Sequence, residues 1–160
     1  MIYWLLDNSI ISNFALIGKI GILKEKLEEK LAIPEEVKKE FLMGIDKGII
    51  PETDISWLKI LKRTSNEDKL FERFCFKLGM GESACLATAI SRKCKLFTDD
   101  VDARKTAQGF EVPVSGTIGM LTYLIHKGYI SLDEGNSMLK EMINKGYYSP
   151  IEKLDDLINL

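Results

Sequence analysis

The sequence predicts an α/β fold, a sandwich of helices around a mostly parallel sheet, and three observations predict it. Short apolar runs of strand length alternate with longer stretches of helical spacing. Those short runs are apolar on both faces, as in strands covered from both sides. Two of them stop abruptly on acids, at Asp7 and at Asp99-Asp100. With 160 residues, one domain spanning 1–160 is expected, large enough to bury a sizeable core.

Ile2–Leu6 is the first buried strand, leaving the core at the polar turn Asp7-Asn8-Ser9. Ser12 to Ile22 has helical spacing interrupted by Gly18 and Gly21, and Leu23 to Lys30 is charged and helical. Leu31–Ile33 is a brief second strand. Pro34 then suits the first position of a helix that has Glu35 and Glu36 in its first turn and Val37, Phe41 and Ile45 on one face. Trp57–Leu61 is a third strand and Asn66–Leu78 a helix stopped by Gly79. Gly81–Lys93 is a helix whose small residues suit close packing.

Lys95–Thr98 is a fourth strand, followed by a short helix, Val101–Gln108, closed by Gly109. Glu111–Val114 contains Pro113 and is expected at a sheet edge. Ser115-Gly116-Thr117 opens a helix running to Lys127. Asp133–Lys145 and Pro150–Ile158 are the last helices. No repeat, linker or low-complexity stretch interrupts this order.

Composition excludes some functions. Hydrophobic residues are 46% and charged residues 29%, and 22 basic against 24 acidic side chains give a net charge of -2. A chain with this balance is not a generally basic nucleic-acid binder; contact with RNA needs cations gathered locally, or metal ions offsetting carboxylates. Cys75, Cys85 and Cys94 lack zinc-site spacing and suit reduced thiols in the cytoplasm, with Cys85 as a small buried hydrophobe. The apolar opening is too short for a targeting signal or a bilayer span, so no membrane association is expected.

Ligands of parallel α/β sheets gather at the carboxyl ends of the strands. Asp7 and Asp99-Asp100 end two strands and therefore share an edge if those strands run parallel. Glu82 follows Gly79-Met80-Gly81 at a helix start. Glu40 borders the apolar face of its helix and can reach the same edge; Glu36, one turn earlier, lies farther from it. Each acid also has a plainer account: turn residue, helix cap, dipole partner or solvated carboxylate. Packed together, they raise one another's pKa, a conflict that a divalent cation removes. All-oxygen ligation fits Mg²⁺ or Mn²⁺, which can activate water for phosphodiester cleavage.

The stretch Leu6-Asp7-Asn8-Ser9-Ile10-Ile11-Ser12-Asn13 resembles the opening motif of PIN domains, in which an Asp followed by Ser or Thr ends the first strand. Ile33-Pro34-Glu35-Glu36-Val37-Lys38-Lys39-Glu40-Phe41 resembles the second segment, with Glu40 as its acid. Gly79-Met80-Gly81-Glu82-Ser83-Ala84 is similar to the third, and Leu96-Phe97-Thr98-Asp99-Asp100 to the fourth. Together these cover about residues 1 to 128, and Gly116-Thr117 resembles a feature of a prokaryotic branch of PIN-like proteins. Asn8 departs from the Thr found in many members.

The resemblance implies a PIN-like three-layer sandwich and a metal-dependent endoribonuclease, often the toxin of a toxin–antitoxin pair. It implies RNA as substrate, an antitoxin protein as partner and frequent homodimers. The implied catalytic set is Asp7, Glu40, Glu82 and Asp100, and the implied Mg²⁺ or Mn²⁺ ligands are these with Asp99 or Asp100 as the fourth. Ser9 is expected to hold the first Asp, and Thr98 the fourth site.

Arg104 and Thr117 are the expected substrate contacts. Arg104 follows the acidic turn and is near enough in sequence to reach a metal-held phosphate. Thr117 belongs to a helix start that can hold one. A solvated helix face accounts equally for Arg104, and for the Arg92-Lys93 and Lys95 group; capping accounts equally for Thr117. His126 suits a helix C-terminus, Trp4 and Trp57 suit the core, and Tyr147-Tyr148 suit either an exposed patch or a packed tail. A catalytically silent PIN-like protein- or nucleic-acid-binding module is the competing reading. A receiver domain lacks its lysine after the last strand, and a flap nuclease does not fit in 160 residues.

Overall fold

The computed structural model describes residues 2–158. Among these residues five strands form one sheet: β1 (Trp4–Leu6), β2 (Leu31–Pro34), β3 (Lys59–Leu61), β4 (Lys95–Phe97) and β5 (Val114–Ser115). Their order is β3-β2-β1-β4-β5 and every neighbouring pair is parallel. Helices flank the sheet. They are α1 (Asn8–Leu16), α2 (Ile20–Leu27), α3 (Glu35–Asp46), α4 (Ser65–Phe74), α5 (Met80–Arg92), α6 (Val101–Gly109), α7 (Thr117–His126), α8 (Leu132–Asn144) and α9 (Asp155–Ile158).

The core explains the uniform apolarity of the strands. Leu5, Leu6, Leu31, Ile33, Leu96 and Phe97 are all essentially fully buried, because helices cover both sides. Helix α5 packs on β1, β2 and β4 and against α3 and α4. Its run Ser83-Ala84-Cys85-Leu86-Ala87-Thr88-Ala89 is buried throughout, and side chains this small let neighbouring backbones approach closely.

Several boundaries differ from the sequence reading, each for a local reason. The first helix starts at Asn8 rather than Ser12, because the Asp7 carboxylate caps it by accepting from the Asn8 amide at 2.8 Å. It ends before Gly18, whose φ of +68° breaks the helix and separates α1 from α2. Pro34 is the last residue of β2 and the cap of α3, with an extended ψ of 159°, and not the first helical residue. Helix α5 ends in a left-handed Lys93 (φ 55°) whose amide returns to the Ala89 carbonyl. After α6 it is Glu111, not Gly109, that takes positive φ, at 59°. The turn therefore runs on, and β5 begins at Val114 instead of Glu111, at the sheet edge as expected. The final helix is a single turn from Asp155. Among the described residues no helix is long and apolar enough to cross a membrane.

The strand order places a crevice. From β1 the chain steps outward to β2 and β3; from β4 it steps the other way to β5. The loops leaving β1 and β4 diverge, and beyond the carboxyl ends of these two strands lies the position at which doubly wound sheets take their ligands.

Candidate functional site

β1 and β4 end together, with Leu6 opposite Phe97. The Asp7 amide still donates to the Phe97 carbonyl at 2.9 Å, so Asp7 leaves the sheet in a fixed position. Asp99 and Asp100 leave β4 beside it, Asp100 capping α6 through the Ala103 amide at 2.8 Å. Glu40 comes from the second turn of α3 and Glu82 from the first turn of α5. The structure brings all five acids to one cavity of about 340 Å³, lined by Asp7, Asn8, Ser9, Glu40, Glu82, Asp99 and Asp100. Glu36 is not among them; it is ion-paired with Arg63.

Thr98 supports the fourth site as expected and braces Asp7 as well, whereas Ser9 turns to the fourth site instead of Asp7. Thr98, fully buried, donates to Asp7 Oδ2 at 2.8 Å and receives the Asp100 amide at 3.2 Å. Ser9 accepts from the Asp99 amide at 3.1 Å and makes no bond to Asp7. The group following each strand thus braces the other strand's acid.

Glu40 is exposed along its stem, but its Oε1 accepts from the Gly81 amide at 2.8 Å. A Cβ on Gly81 would collide with that carboxylate, so this position requires glycine for close approach. Glu82 Oε2 accepts from the Gly79 amide at 2.8 Å. The Gly79–Glu82 contact is a local cap of α5, whereas Gly81 gives no sign of Glu40 in sequence, because that contact depends on how α5 meets α3.

Asp99 is held differently from the other acids. Its Oδ1 accepts from the Thr117 amide at 2.8 Å, and its Oδ2 from the Thr117 hydroxyl at 2.5 Å and from Asn13 Nδ2 at 3.3 Å. Asn13 Nδ2 also donates to Thr117 Oγ1 at 3.0 Å. Thr117 is fully buried, and its amide and hydroxyl are both committed to Asp99, which corrects its expected place among the surface groups that meet substrate. Asn13, to which the sequence reading gave no role, completes the bracket. Arg104 is half-buried, and its Nη1 donates to the Thr98 carbonyl at 3.2 Å. Arg92, grouped in sequence with possible phosphate contacts, instead holds the fully buried Glu67 at 2.8 Å.

Burial dominates the electrostatics. Asp7 is pushed up to about 7 by desolvation and by the Glu82 and Glu40 charges, against the lowering effect of Thr98 and Asn8. Burial also raises Glu40 and Glu82, and the Asp100 and Glu40 charges raise Glu82 further. The set is strained by its own negative charge, and no cationic side chain lines the cavity among the described residues.

A divalent metal ion fits this donor set in kind. Glu40 Oε2, Glu82 Oε1 and Asp100 Oδ1 make no hydrogen bond among the described residues, and all donors are oxygen, as Mg²⁺ and Mn²⁺ prefer. In the conformation described, no three acids, histidines or cysteines among the described residues already stand in ion-holding geometry. Each of the two glutamates is anchored through one oxygen to a backbone amide at the start of α5, Glu82 to its cap Gly79 and Glu40 to Gly81.

A family model described as PIN domain matches residues 3–160. No curated protein matches the sequence. Among solved structures, the chain is similar to PAE2754 from Pyrobaculum aerophilum, with a TM-score of 0.58 and 18% identity over 78% of this chain and 90% of that one. At that identity the likeness concerns the fold.

Proposed function

The chain belongs to the PIN-domain family, whose members are generally nucleases using divalent metal ions, and from that premise we propose that it is a metal-dependent endoribonuclease. The observation that carries this reading is the five-acid cavity at the crevice between β1 and β4, with a desolvated Asp7 at its floor. Carboxylates kept together against their own repulsion have a use when a divalent cation is bound among them. Mg²⁺ or Mn²⁺ supplies there a more acidic water and positive charge for the developing negative charge of a phosphodiester.

In this reading Asp7, Glu40, Glu82 and Asp100 are the catalytic carboxylates and metal ligands. Asp99, bound through both oxygens by Thr117, fits a positioning role better than that of an inner ligand. Thr98 fixes the rotamer of Asp7 and the start of α6 together, and Ser9 fixes the turn that carries Asp99. Arg104, which lines the neighbouring cavity, is assigned in this reading to a substrate phosphate. Three free cysteines, two of them buried, accord with the cytoplasm. A toxin role, with an antitoxin protein as partner, and a homodimer are the finer form of this reading.

The test incubates purified protein with a labelled structured RNA and a matched DNA, in Mg²⁺, Mn²⁺ or chelator, beside Asp7→Asn. RNA cleavage that chelator and the variant both abolish supports the reading. Cleavage surviving in Asp7→Asn overturns the assignment of the site. No cleavage of either polymer in any metal favours the silent binding module.

A further inference from the structure

A second cavity, of about 610 Å³, opens beside the acidic one, and the two share Asp99. Its lining includes Arg104, Gly116, Ile118, Tyr147 and Tyr148. Arg104 is the one cationic side chain lining either cavity among the described residues. Its situation differs from that of the other partly buried arginines. Arg63 is ion-paired with Glu36 and Asp68, and Arg92 with Glu67. Arg104 has no ion pair among the described residues, only the Thr98 carbonyl. A partly desolvated guanidinium without a direct ion pair is unfavourable, and an anionic ligand relieves it. Asp99 Oδ1 and Arg104 Nη1 face the same space over Gly116 but form no ion pair, the Asp99 oxygens being turned to Thr117 and Asn13, so the donors of Arg104 stay open to a further anion.

Two tyrosines also line this cavity. Gly146, at φ +111°, turns the chain out of α8, and the Tyr147 amide returns to the Met142 carbonyl at 2.9 Å. Tyr148 follows with 96% of its surface exposed. An exposed ring lining the same cavity as an arginine without an ion pair, next to a carboxylate cavity, matches what a single-stranded nucleic acid needs: a cation for the phosphate and a face for the base.

We propose that this cleft binds the nucleotide flanking the scissile phosphate of a single-stranded RNA, its phosphate on Arg104 and its base stacked on Tyr148. The proposal rests on the ribonuclease reading for the identity of its ligand. A base paired in a duplex cannot stack on a side chain, so the cleft selects unpaired RNA.

Tyr148 is the residue to test, since a side chain this exposed is replaceable without loss of fold. Fluorescence anisotropy with a labelled uridine dodecamer, in Ca²⁺, compares wild type with Tyr148→Ala, Tyr148→Phe and Arg104→Gln. The same dodecamer paired with its adenosine complement is the second probe. Tyr148→Ala is expected to weaken single-strand binding about tenfold and leave duplex binding unchanged, while Tyr148→Phe stays within about twofold of wild type. In cleavage, Tyr148→Ala raises KM and leaves kcat near wild type. Unchanged single-strand affinity in Tyr148→Ala, or equal losses on strand and duplex, overturns the proposal. The two readings separate cleanly. Cleavage that ignores Tyr148→Ala removes the cleft and leaves the nuclease. Tyr148-dependent binding without cleavage in Mg²⁺ or Mn²⁺ supports the cleft and removes the nuclease.

Discussion

Replacing Asp7 by Asn should stabilise the metal-free protein, and increasingly so as pH rises. Burial lifts the Asp7 carboxyl from an ordinary 3.8 to about 7. The folded chain therefore keeps its proton where the unfolded chain has released it. The stability associated with that proton is fully present below about pH 3.8 and is lost progressively as pH climbs to about 7. At ~1.4 kcal/mol per unit, the ionised carboxylate costs about 4 kcal/mol above neutrality. Asn has the same shape, carries no charge, and can still accept from the Asn8 amide. Allowing ~1 kcal/mol for a poorer match to the Thr98 hydroxyl leaves a net gain of about 3 kcal/mol. For a chain of this size that is a rise in Tm of ~6–12 °C. Thermal unfolding in chelator at about pH 4 and pH 8 measures it: near-equal Tm values at the lower pH, a clear gain for Asp7→Asn at the higher one. With saturating Mg²⁺, wild type should recover the gap and the variant should not move. A variant equally or less stable than wild type at both pH values would refute the account of Asp7 as a desolvated, repelled carboxylate.

The same titration governs metal affinity. Because Asp7 must ionise to become a ligand, Mg²⁺ binding measured by calorimetry should weaken about tenfold per unit below pH 7, with proton release; a flat affinity over that range removes Asp7 from the ligand set. Gly81→Ala places a methyl on the Glu40 carboxylate and should lower metal affinity about tenfold or more, with Tm within a few degrees of wild type since alanine favours the helix. Unaltered affinity would mean that Glu40 is not a ligand. Arg92→Ala leaves Glu67 buried without its partner and should cost about 2–4 kcal/mol in chemical denaturation, the upper range discounted because Arg92 is partly exposed. Burial raises Glu67, and Arg92 and the Thr64 amide overcome this to hold it at about 2. The stability it contributes is present above its ordinary pKa of 4.5 and fades as pH falls toward 2, so the Arg92→Ala penalty should shrink in acid.

The parts of this molecule visible from sequence are those with a local cause. Apolar runs ending on Asp7 and Asp99 announce buried parallel strands and the side of the sheet where they open. The position of Glu40 on the border of the Val37–Phe41 face separates it from Glu36, and the two diverge as that geometry predicts. Partners are another matter. Which hydroxyl braces which acid is decided across 90 and 91 residues of chain, and the simplest assumption, that each strand end braces itself, fails at Ser9 and is only half the account at Thr98, which holds Asp7 as well as its own Asp100. Thr117 looked like a surface cap because nothing near it in sequence tells of Asp99 or Asn13. Arg92 looked solvated because Glu67 lies 25 residues away. The late start of β5 turns on a positive φ at Glu111, a residue type that gives no warning of one.

The crossed bracing of Ser9 and Thr98 also dictates when in the life of a chain the acidic cavity can exist. Asp7 is made before its partner, since the hydroxyl that fixes it lies 91 residues later, and the bracket on Asp99 closes only once Thr117 has been made. Contacts this distant form late, after the entropy of closing a long loop has been overcome. A nascent or partly folded chain therefore has the carboxylates without the site. Whatever chemistry the cavity performs is withheld until β1 and β4 lie side by side, so a cell making this protein meets the finished centre only in the finished fold.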